Sequence, residues 1–143
     1  MDIEALAKTN IDNFKLKWRW TDPDYLDMPE ENLDKINALS PESASAVFDE
    51  SSRLIKESNI ENEGQRTSAN NSEVAEYLAR INVESMILVS WGPDCAVVTT
   101  TNIFIKYWED FCYPTSDDVS IWPVNKAWLL QYFHYEEFSF VTL

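Results

Sequence analysis

Glycine is scarce in this chain of 143 residues, which contains only Gly64 and Gly92. Phosphate-binding loops of the glycine-rich type need several closely spaced glycines, because only they let the backbone approach the phosphate. The sequence has no such group of glycines. It therefore argues against a nucleotide-binding loop of this type.

Long apolar runs are also missing from the sequence. No stretch approaches the roughly 18 apolar residues that a membrane-spanning helix requires, and the acidic start at Asp2 and Glu4 is unlike a signal peptide. With 45% hydrophobic and 13% aromatic residues, the composition is nevertheless that of a folded protein. We predict one globular domain over residues 1–143, located in the cytoplasm.

Sulfur and imidazole groups are few, since the chain has only Cys95, Cys112 and His134. These three residues cannot complete the four-ligand set of a structural zinc site. In a cytoplasmic protein we expect both cysteines to be reduced and buried and His134 to lie in a hairpin turn. We predict no cofactor. The alternative is a small enzyme or ligand-binding protein whose cleft combines Cys112, His134 and carboxylates.

Basic residues are outnumbered, with 11 Lys and Arg against 25 Asp and Glu, for a net charge of −14. Solubility needs a net charge of only about 2 to 8 in magnitude. An excess of this size repels nucleic acid and anionic membranes, so we expect the protein to bind neither. A basic protein partner is expected instead, because opposite charge steers association. The charge does not indicate the oligomeric state.

Several short patterns occupy the N-terminal third. Apolar residues at helical spacing predict a first helix that uses Ile3, Leu6, Ala7, Ile11 and Phe14. Basic and apolar residues then alternate from Lys15 to Trp20, which predicts a half-buried strand. The acidic run Asp22–Asp34 follows, with six acids and no base. Within it, Pro29 and the acids after it predict the start of a second helix.

The middle of the chain contains two further helix signals. Ser40 as N-cap and Pro41 as first helical residue predict a helix that extends to about Glu57. Residues 58–71 are strongly polar, and they predict a long exposed loop. Ser72 then predicts a helix cap, and the helix after it has one apolar face formed by Val74, Tyr77, Leu78 and Ile81.

The C-terminal half has mainly strand patterns. A hairpin is predicted around Gly92, and a helix is predicted from Thr101 or Asn102 with Phe104, Tyr107, Trp108 and Phe111 packed inward. The last three strands are predicted over Asp118–Trp122, Ala127–Phe133 and Glu137–Val141. The fold class is therefore α+β, with N-terminal helices followed by an antiparallel sheet of about five strands that is interrupted by one helix.

The stretch YWEDFCYPTSDDVSIWP (Tyr107–Pro123) combines aromatic rings with four carboxylates and has no basic residue. We expect most of the rings to be core and the acids to form the exposed rim of a surface for a basic partner. This surface is predicted to comprise Glu109, Asp110, Tyr113, Asp117, Asp118 and Trp122. The acidic run Asp22–Asp34 is a rival surface. Two further readings are solvated acids without a partner and a hard-cation site, although the spacing lacks the Gly and Asn of a calcium loop.

Whether this surface has an apolar anchor depends on the direction in which the Trp122 side chain points. If Val119 and Ile121 point into the core, alternation along a strand makes Ser120 and Trp122 point outward. An exposed Trp beside carboxylates has the composition of a binding anchor. The alternative is that the N-terminal helices cover this second face of the sheet, which would make Trp122 part of the core.

Three segments resemble a small bacterial family whose function is not assigned. They are WRWTDPDYLDMPEENLDKINALSPESA (Trp18–Ala44), VVTTTNIFIKYWEDFCYPTSDDVSIWP (Val97–Pro123) and WLLQYFHYEEFSF (Trp128–Phe140), about half of the chain together. A tryptophan-bearing helix before Asp-Phe-Cys-Tyr-Pro and Asp-Asp is also similar to small acidic immunity proteins of bacterial toxin systems. The resemblance implies a bacterial cytoplasmic protein that is not an enzyme. Together with the net charge of −14, it leads us to expect an inhibitor that neutralises a basic toxin. It assigns no catalytic residue.

Overall fold

A single antiparallel sheet of seven strands organises the computed structural model, which describes residues 2–25 and 28–143. The strand order is β1-β4-β3-β5-β6-β7-β2. The strands are β1 Asn37–Ala38, β2 Gln65–Ser68, β3 Met86–Gly92, β4 Cys95–Thr100, β5 Val119–Pro123, β6 Trp128–Phe133 and β7 Glu137–Thr142. The α+β class is confirmed, and the five predicted strands correspond to β3 to β7, but the sheet has seven strands and not about five. The sheet has two additional strands, β1 and β2, one at each edge.

Within the described residues, six short or medium α-helices connect and cover these strands. They are α1 Trp18–Thr21, α2 Pro41–Ser58, α3 Ile60–Glu63, α4 Val74–Leu78, α5 Thr101–Lys106 and α6 Trp108–Phe111. Short 3-10 helices span Ile3–Ala5, Ile11–Asn13, Glu30–Lys35 and Ala79–Ile81. Four of the six α-helices precede the hairpin β3–β4, but β1 and β2 lie among them, so the predicted order of helices first and sheet second holds only in part.

Both faces of the sheet are covered, because alternate residues of each strand pack against different helices. One face packs against the N-terminal segment, α4, α5 and α6, and its buried residues include Trp20, Leu78, Phe104, Phe111, Ile121 and Phe138. The other face packs against α2 and α3, and its buried residues include Ala44, Val47, Leu54, Ile60, Leu88, Trp122 and Leu129. The sheet is therefore the central layer between two layers of helices.

The longest helix, α2, begins and ends as its local sequence predicts. The Ser40 side chain accepts a hydrogen bond from the Ser43 backbone N–H, and Pro41 is the first helical residue. After Ser58 the chain leaves the helix through Asn59 in the left-handed region, at φ 55°. The predicted helix to about Glu57 is confirmed.

The predicted N-terminal helix and the strand at Lys15–Trp20 are wrong. Asp2 and Asn10 each accept a hydrogen bond from the backbone N–H two residues later, and such local bonds favour short turns over a continuous helix. The alternating segment forms α1 instead of a strand. Its Arg19 and Trp20 are consecutive and are both buried, so the charge of Arg19 did not mark an exposed position.

The predicted loop at residues 58–71 is also wrong, because this segment contains α3 and β2. Strand β2 pairs with β7 over four residues, although its polar side chains give no apolar alternation. Ile60 is buried at 1% exposure, Arg66 forms an ion pair with Glu137 at 3.0 Å, and the Tyr77 hydroxyl donates to the Gln65 carbonyl at 2.7 Å. These contacts with distant residues hold the polar segment against the sheet edge.

Two other helix predictions are confirmed in their buried faces but not in every boundary. The helix predicted after Ser72 buries the expected residues Val74, Tyr77, Leu78 and Ile81, but its N-cap position is Glu73 and no side chain caps it. Thr100 caps α5, and the chain interrupts the helix at Tyr107, whose φ is −123°. Phe104, Tyr107 and Phe111 are buried as predicted, whereas Trp108 is half-buried.

An ion pair joins α2 to the turn between β5 and β6. The buried carboxylate of Glu50 contacts Lys126 Nζ at 2.7 Å and also contacts Arg53. Burial by itself raises the pKa of Glu50, but the hydrogen bond and the charge of Lys126, together with the charge of Arg53, outweigh it and lower this pKa below its ordinary value of 4.5.

We expect Glu50→Gln to lower the free energy of unfolding at pH 7 by about 1.5 to 3 kcal/mol, the range for hydrogen bonds to charged groups. Because the pKa is lowered in the folded state, the ionised carboxylate stabilises the fold above pH 4.5 and loses this effect as the pH falls further. Urea unfolding at pH 7 and near pH 3 measures both parts. The difference between variant and wild type should shrink at the lower pH, and a constant difference would contradict the assignment.

Candidate functional site

A buried ion pair organises the acidic stretch after α6. Arg19 Nη1 and Nη2 donate to the two carboxylate oxygens of Asp117 at 2.7 and 3.0 Å. The same carboxylate accepts from the Tyr113 backbone N–H at 2.8 Å and from the Ser116 hydroxyl at 3.2 Å. Asp117 is only 7% exposed, so its predicted place on the partner surface is wrong. Its charge is neutralised inside the protein by Arg19.

Tyr113 packs on this ion pair. The Arg19 guanidinium lies 4.1 Å from the centroid of the Tyr113 ring, and the Trp18 ring meets Tyr113 at 5.4 Å in an edge-on arrangement. Burial is the main reason that the pKa of the Tyr113 hydroxyl is raised. Tyr113 is half-buried and therefore presents part of its surface on a firmly held loop.

Trp122 does not belong to the surface. It is 0% exposed and packs in the apolar cluster beneath α2. The predicted alternation along β5 is correct, because Ile121 faces the first helical layer and Trp122 the second. The prediction of Trp122 as a partner anchor is wrong because α2 covers this face, which confirms the alternative that N-terminal helices lie over it.

Asp118 is exposed and is bound to the turn between β6 and β7. One of its carboxylate oxygens accepts from the His134 backbone N–H at 3.0 Å and lies 3.0 Å from His134 Nδ1. The hairpin-turn location predicted for His134 is confirmed. Both side chains are more than half exposed, so Asp118 is accessible, but it lies outside the groove described next.

The other predicted residues line a surface groove of about 600 Å³. Glu109, Asp110 and Tyr113 border it on one side, and the turns around Asn70 and Glu136 border it on the other. No Lys, Arg or His is found among its lining residues in the part of the chain that the structure describes. Three carboxylates thus share one concave surface without a basic side chain in its wall.

The floor of the groove contains the side chains of Tyr132 and Cys112. Burial, followed by the effects of the neighbouring Cys112 and Glu136, raises the pKa of the Tyr132 hydroxyl to about 12. Tyr132 is 1% exposed, and its hydroxyl forms no hydrogen bond with the described residues. It is therefore a neutral polar group at the base of an acidic groove.

Sequence reasoning missed several members of this groove. Trp108 was assigned to packing; its ring does contact Phe138 at 5.4 Å, but its half-buried side chain also lines the groove. Glu136 lies far from Glu109 in the sequence and enters through a turn residue with φ 62°. The pair Glu136–Glu137, which follows the lone histidine after Tyr135, is the sequence signal that could have indicated it.

The structure does not assemble the alternative Cys112–His134 dyad. Cys112 is buried at 1% exposure, and burial raises the pKa of its thiol well above the ordinary value. The His134 ring instead faces Asp118. Cys95 is likewise buried and free, with its pKa raised to about 12 by burial. The expectation of two buried, unpaired thiols is confirmed.

The rival acidic run and the cation site gain no geometric support. Asp27 of the run Asp22–Asp34 lies outside the described residues, and none of the described residues of this run lines the groove. Within residues 2–25 and 28–143, no three His, Cys, Asp or Glu side chains converge as metal ligands. Asp117, the central carboxylate of the cation hypothesis, is bound to Arg19.

Comparison with known proteins adds no information on function, so the proposal below rests on the geometry of the groove. Among the described helices, none combines the length and apolar character that crossing a membrane would require. No known family, curated protein or solved structure matches the chain. The resemblance to acidic immunity proteins therefore stays a prediction.

Proposed function

We propose that this chain is a non-catalytic, acidic binding module that neutralises a basic protein partner, in the manner of an immunity protein that inhibits a toxin. The observation that carries the proposal is the groove between α6 and the turns around Asn70 and Glu136. It has three carboxylates and no basic side chain among its described lining residues. A net charge of −14 adds long-range attraction for a basic protein.

The groove suits an arginine or lysine side chain of the partner. Glu109 and Glu136 supply negative charge from two sides, and Glu109 makes no ion pair with the described residues. The half-buried Trp108 ring supplies π surface for the cationic head, and the half-buried Tyr113, whose ring already contacts Arg19, adds apolar surface for the aliphatic stem. A cation in such a place gains both charge-assisted hydrogen bonds and ring contact.

The surrounding structure supports binding without rearrangement. The loop that carries Tyr113 is fixed by the Arg19–Asp117 ion pair, and the Thr115 backbone N–H donates to the His134 carbonyl at 2.8 Å. A preformed surface loses less conformational entropy when a partner binds. The fixed loop thus contributes to affinity although Asp117 itself touches no partner.

Affinity capture with the tagged protein from its native host tests the proposal. We expect one basic protein in near-stoichiometric amount at about 0.05 M salt and much less of it at about 0.5 M, because salt screens exposed charges. Mass spectrometry identifies the captured protein. Recovery of the chain alone at both salt concentrations would contradict the proposal.

An acidic bait can also retain basic proteins without specificity, so the capture needs matched variants. Glu109→Gln/Glu136→Gln changes the groove, whereas Glu42→Gln/Asp49→Asn removes the same charge from exposed positions of α2. Specific binding is retained by the α2 variant and lost by the groove variant. Equal capture by both variants would indicate that basic proteins are retained through net negative charge alone. It would refute the groove as the binding site.

A further inference from the structure

A second cleft lies on the opposite face of the sheet, between the C-terminal half of α2 and strands β3, β5 and β6. Its volume is about 240 Å³. The helix contributes Phe48, Ser51, Ser52 and Ile55, and the floor includes Ser90, Ser120 and Gln131. This cleft is separate from the acidic groove, and ligand binding in it does not depend on the partner proposed above.

The floor is a row of three polar side chains on adjacent strands. Ser90 pairs with Ser120, and Ser120 pairs with Gln131, in the strand register. Neighbouring strands are about 4.8 Å apart, so the three side chains stand side by side. The row continues on β7 with the buried Ser139, which pairs with Gln131 outside the cleft, whereas Leu88, Trp122 and Leu129 of the same sheet face form the core under α2. The row is therefore an exception that packing alone does not explain.

The polar groups of this row are not satisfied within the protein. Ser90 is 3% exposed, and its Oγ has no hydrogen-bond partner among the described residues. The side chains of Ser120 and Gln131 form no hydrogen bond with those residues either. Across the cleft, Ser51 and Ser52 donate to the Phe48 carbonyl at 2.7 and 3.1 Å. Buried polar groups usually have partners; Ser90 Oγ lacks one, whereas the polar atoms of Ser120 and Gln131 are open to the cleft, where an occupant can bond to them.

We propose that this cleft binds an uncharged polyhydroxyl molecule of monosaccharide size. The hydroxyls of Ser90 and Ser120 and the carboxamide of Gln131 both donate and accept, which matches neighbouring hydroxyls of a sugar ring. Phe48, Ile55 and Phe133 supply apolar walls for its C–H faces. The volume equals that of about eight water molecules, which limits the ligand to a single ring.

Charge at the cleft excludes anions. Among the described lining residues there is no Lys, Arg or His, and the one charged group is the Asp118 carboxylate. Asp118 is exposed at the mouth, and the neighbouring His134 ring is its hydrogen-bond partner. A phosphorylated sugar would meet a carboxylate and no cation, so the site selects the neutral form.

Titration of the ¹⁵N-labelled protein with D-ribose, D-glucose and glucose 6-phosphate, followed by NMR, tests the proposal. We expect saturable shifts of the Ser90, Ser120 and Gln131 amides with at least one neutral sugar. The dissociation constant should be millimolar, as ligands of this size allow. Glucose 6-phosphate should bind at least tenfold more weakly. Absence of saturable shifts with both neutral sugars, or equal binding of the phosphate, would overturn the proposal.

Two variants assign the effect to the cleft. Ser90→Val/Ser120→Val fills the floor with methyl groups and should abolish the sugar-dependent shifts. If this variant does not fold, the half-buried Gln131→Leu replaces it and should weaken binding at least fivefold. Ser45→Ala, on the exposed side of α2, is the control and should bind as wild type. Unchanged binding in a folded cleft variant would refute the site.

Discussion

Replacement of Arg19 by methionine should lower the free energy of unfolding by about 3 to 5 kcal/mol, the effect expected when one partner of a buried ion pair is removed. The side chains of Arg19 and Asp117 are only 3% and 8% exposed, and two hydrogen bonds join them. The variant leaves the Asp117 carboxylate buried without a counter-ion. Urea or thermal unfolding measures the loss.

Two further variants separate the cost of an orphaned charge from the net value of the pair. Arg19→Met/Asp117→Leu removes both charges and should recover most of the stability lost in the single variant. Arg19→Lys keeps the charge but cannot form the bidentate contact, so we expect an intermediate loss. If Arg19→Met lowered the free energy of unfolding by less than about 1 kcal/mol, the pair would contribute no more than an exposed salt bridge does. That result would contradict its structural role.

Trp122→Ala should have an effect of similar size, about 3 to 5 kcal/mol on the free energy of unfolding, because it removes a large side chain from a close-packed core. Trp122 is 0% exposed and belongs to the cluster that α2 covers. The same substitution at an exposed binding anchor would leave stability within about 0.5 kcal/mol of wild type. Chemical unfolding therefore distinguishes a core residue from an anchor.

Trp122→Phe provides the matched control for this prediction. It keeps an aromatic ring in the core and removes an indole N–H that has no hydrogen-bond partner within the described chain. We expect Trp122→Phe to lower the free energy of unfolding by less than half as much as Trp122→Ala does. If both variants unfolded like wild type while partner binding was lost, the assignment of Trp122 to the core would be refuted.

The sequence predicted best those elements that local chemistry determines. The α2 helix follows from the Ser40 cap and Pro41, and the strands β3 to β7 follow from runs of β-branched and aromatic residues. The alternation along β5 was also correct. These features depend on neighbours within a few residues, which a single sequence displays directly.

Features formed by distant residues were not predictable in the same way. Arg19 and Asp117 are 98 positions apart, so the sequence presented one as part of an alternating strand and the other as a free acid. Strand β2 is polar and is recognised only through its pairing with β7. These errors share one cause, since burial of a charged residue depends on a partner that the local pattern does not contain.

The candidate site combines both kinds of information. Glu109, Asp110 and Tyr113 were predicted together because they are close in the sequence, and they do line one groove. Tyr132, Glu136 and Asn70 complete the groove from β6, the turn between β6 and β7 and the turn after β2, and no periodicity links those segments to α6. Part of the predicted surface therefore lines the groove in the structure. Asp117 and Trp122 do not belong to it, and residues from distant segments form its opposite wall.

The most direct test of the proposed function is a calorimetric titration of the captured basic partner into three proteins: wild type, Glu109→Gln/Glu136→Gln and Glu42→Gln/Asp49→Asn. The two variants carry the same net charge of −12, that is −14 with two acids neutralised. We predict that the groove variant binds at least tenfold more weakly than wild type, a difference of about 1.4 kcal/mol, while the α2 variant stays within about twofold of wild type. Equal affinities for the two variants would contradict the groove as the binding surface.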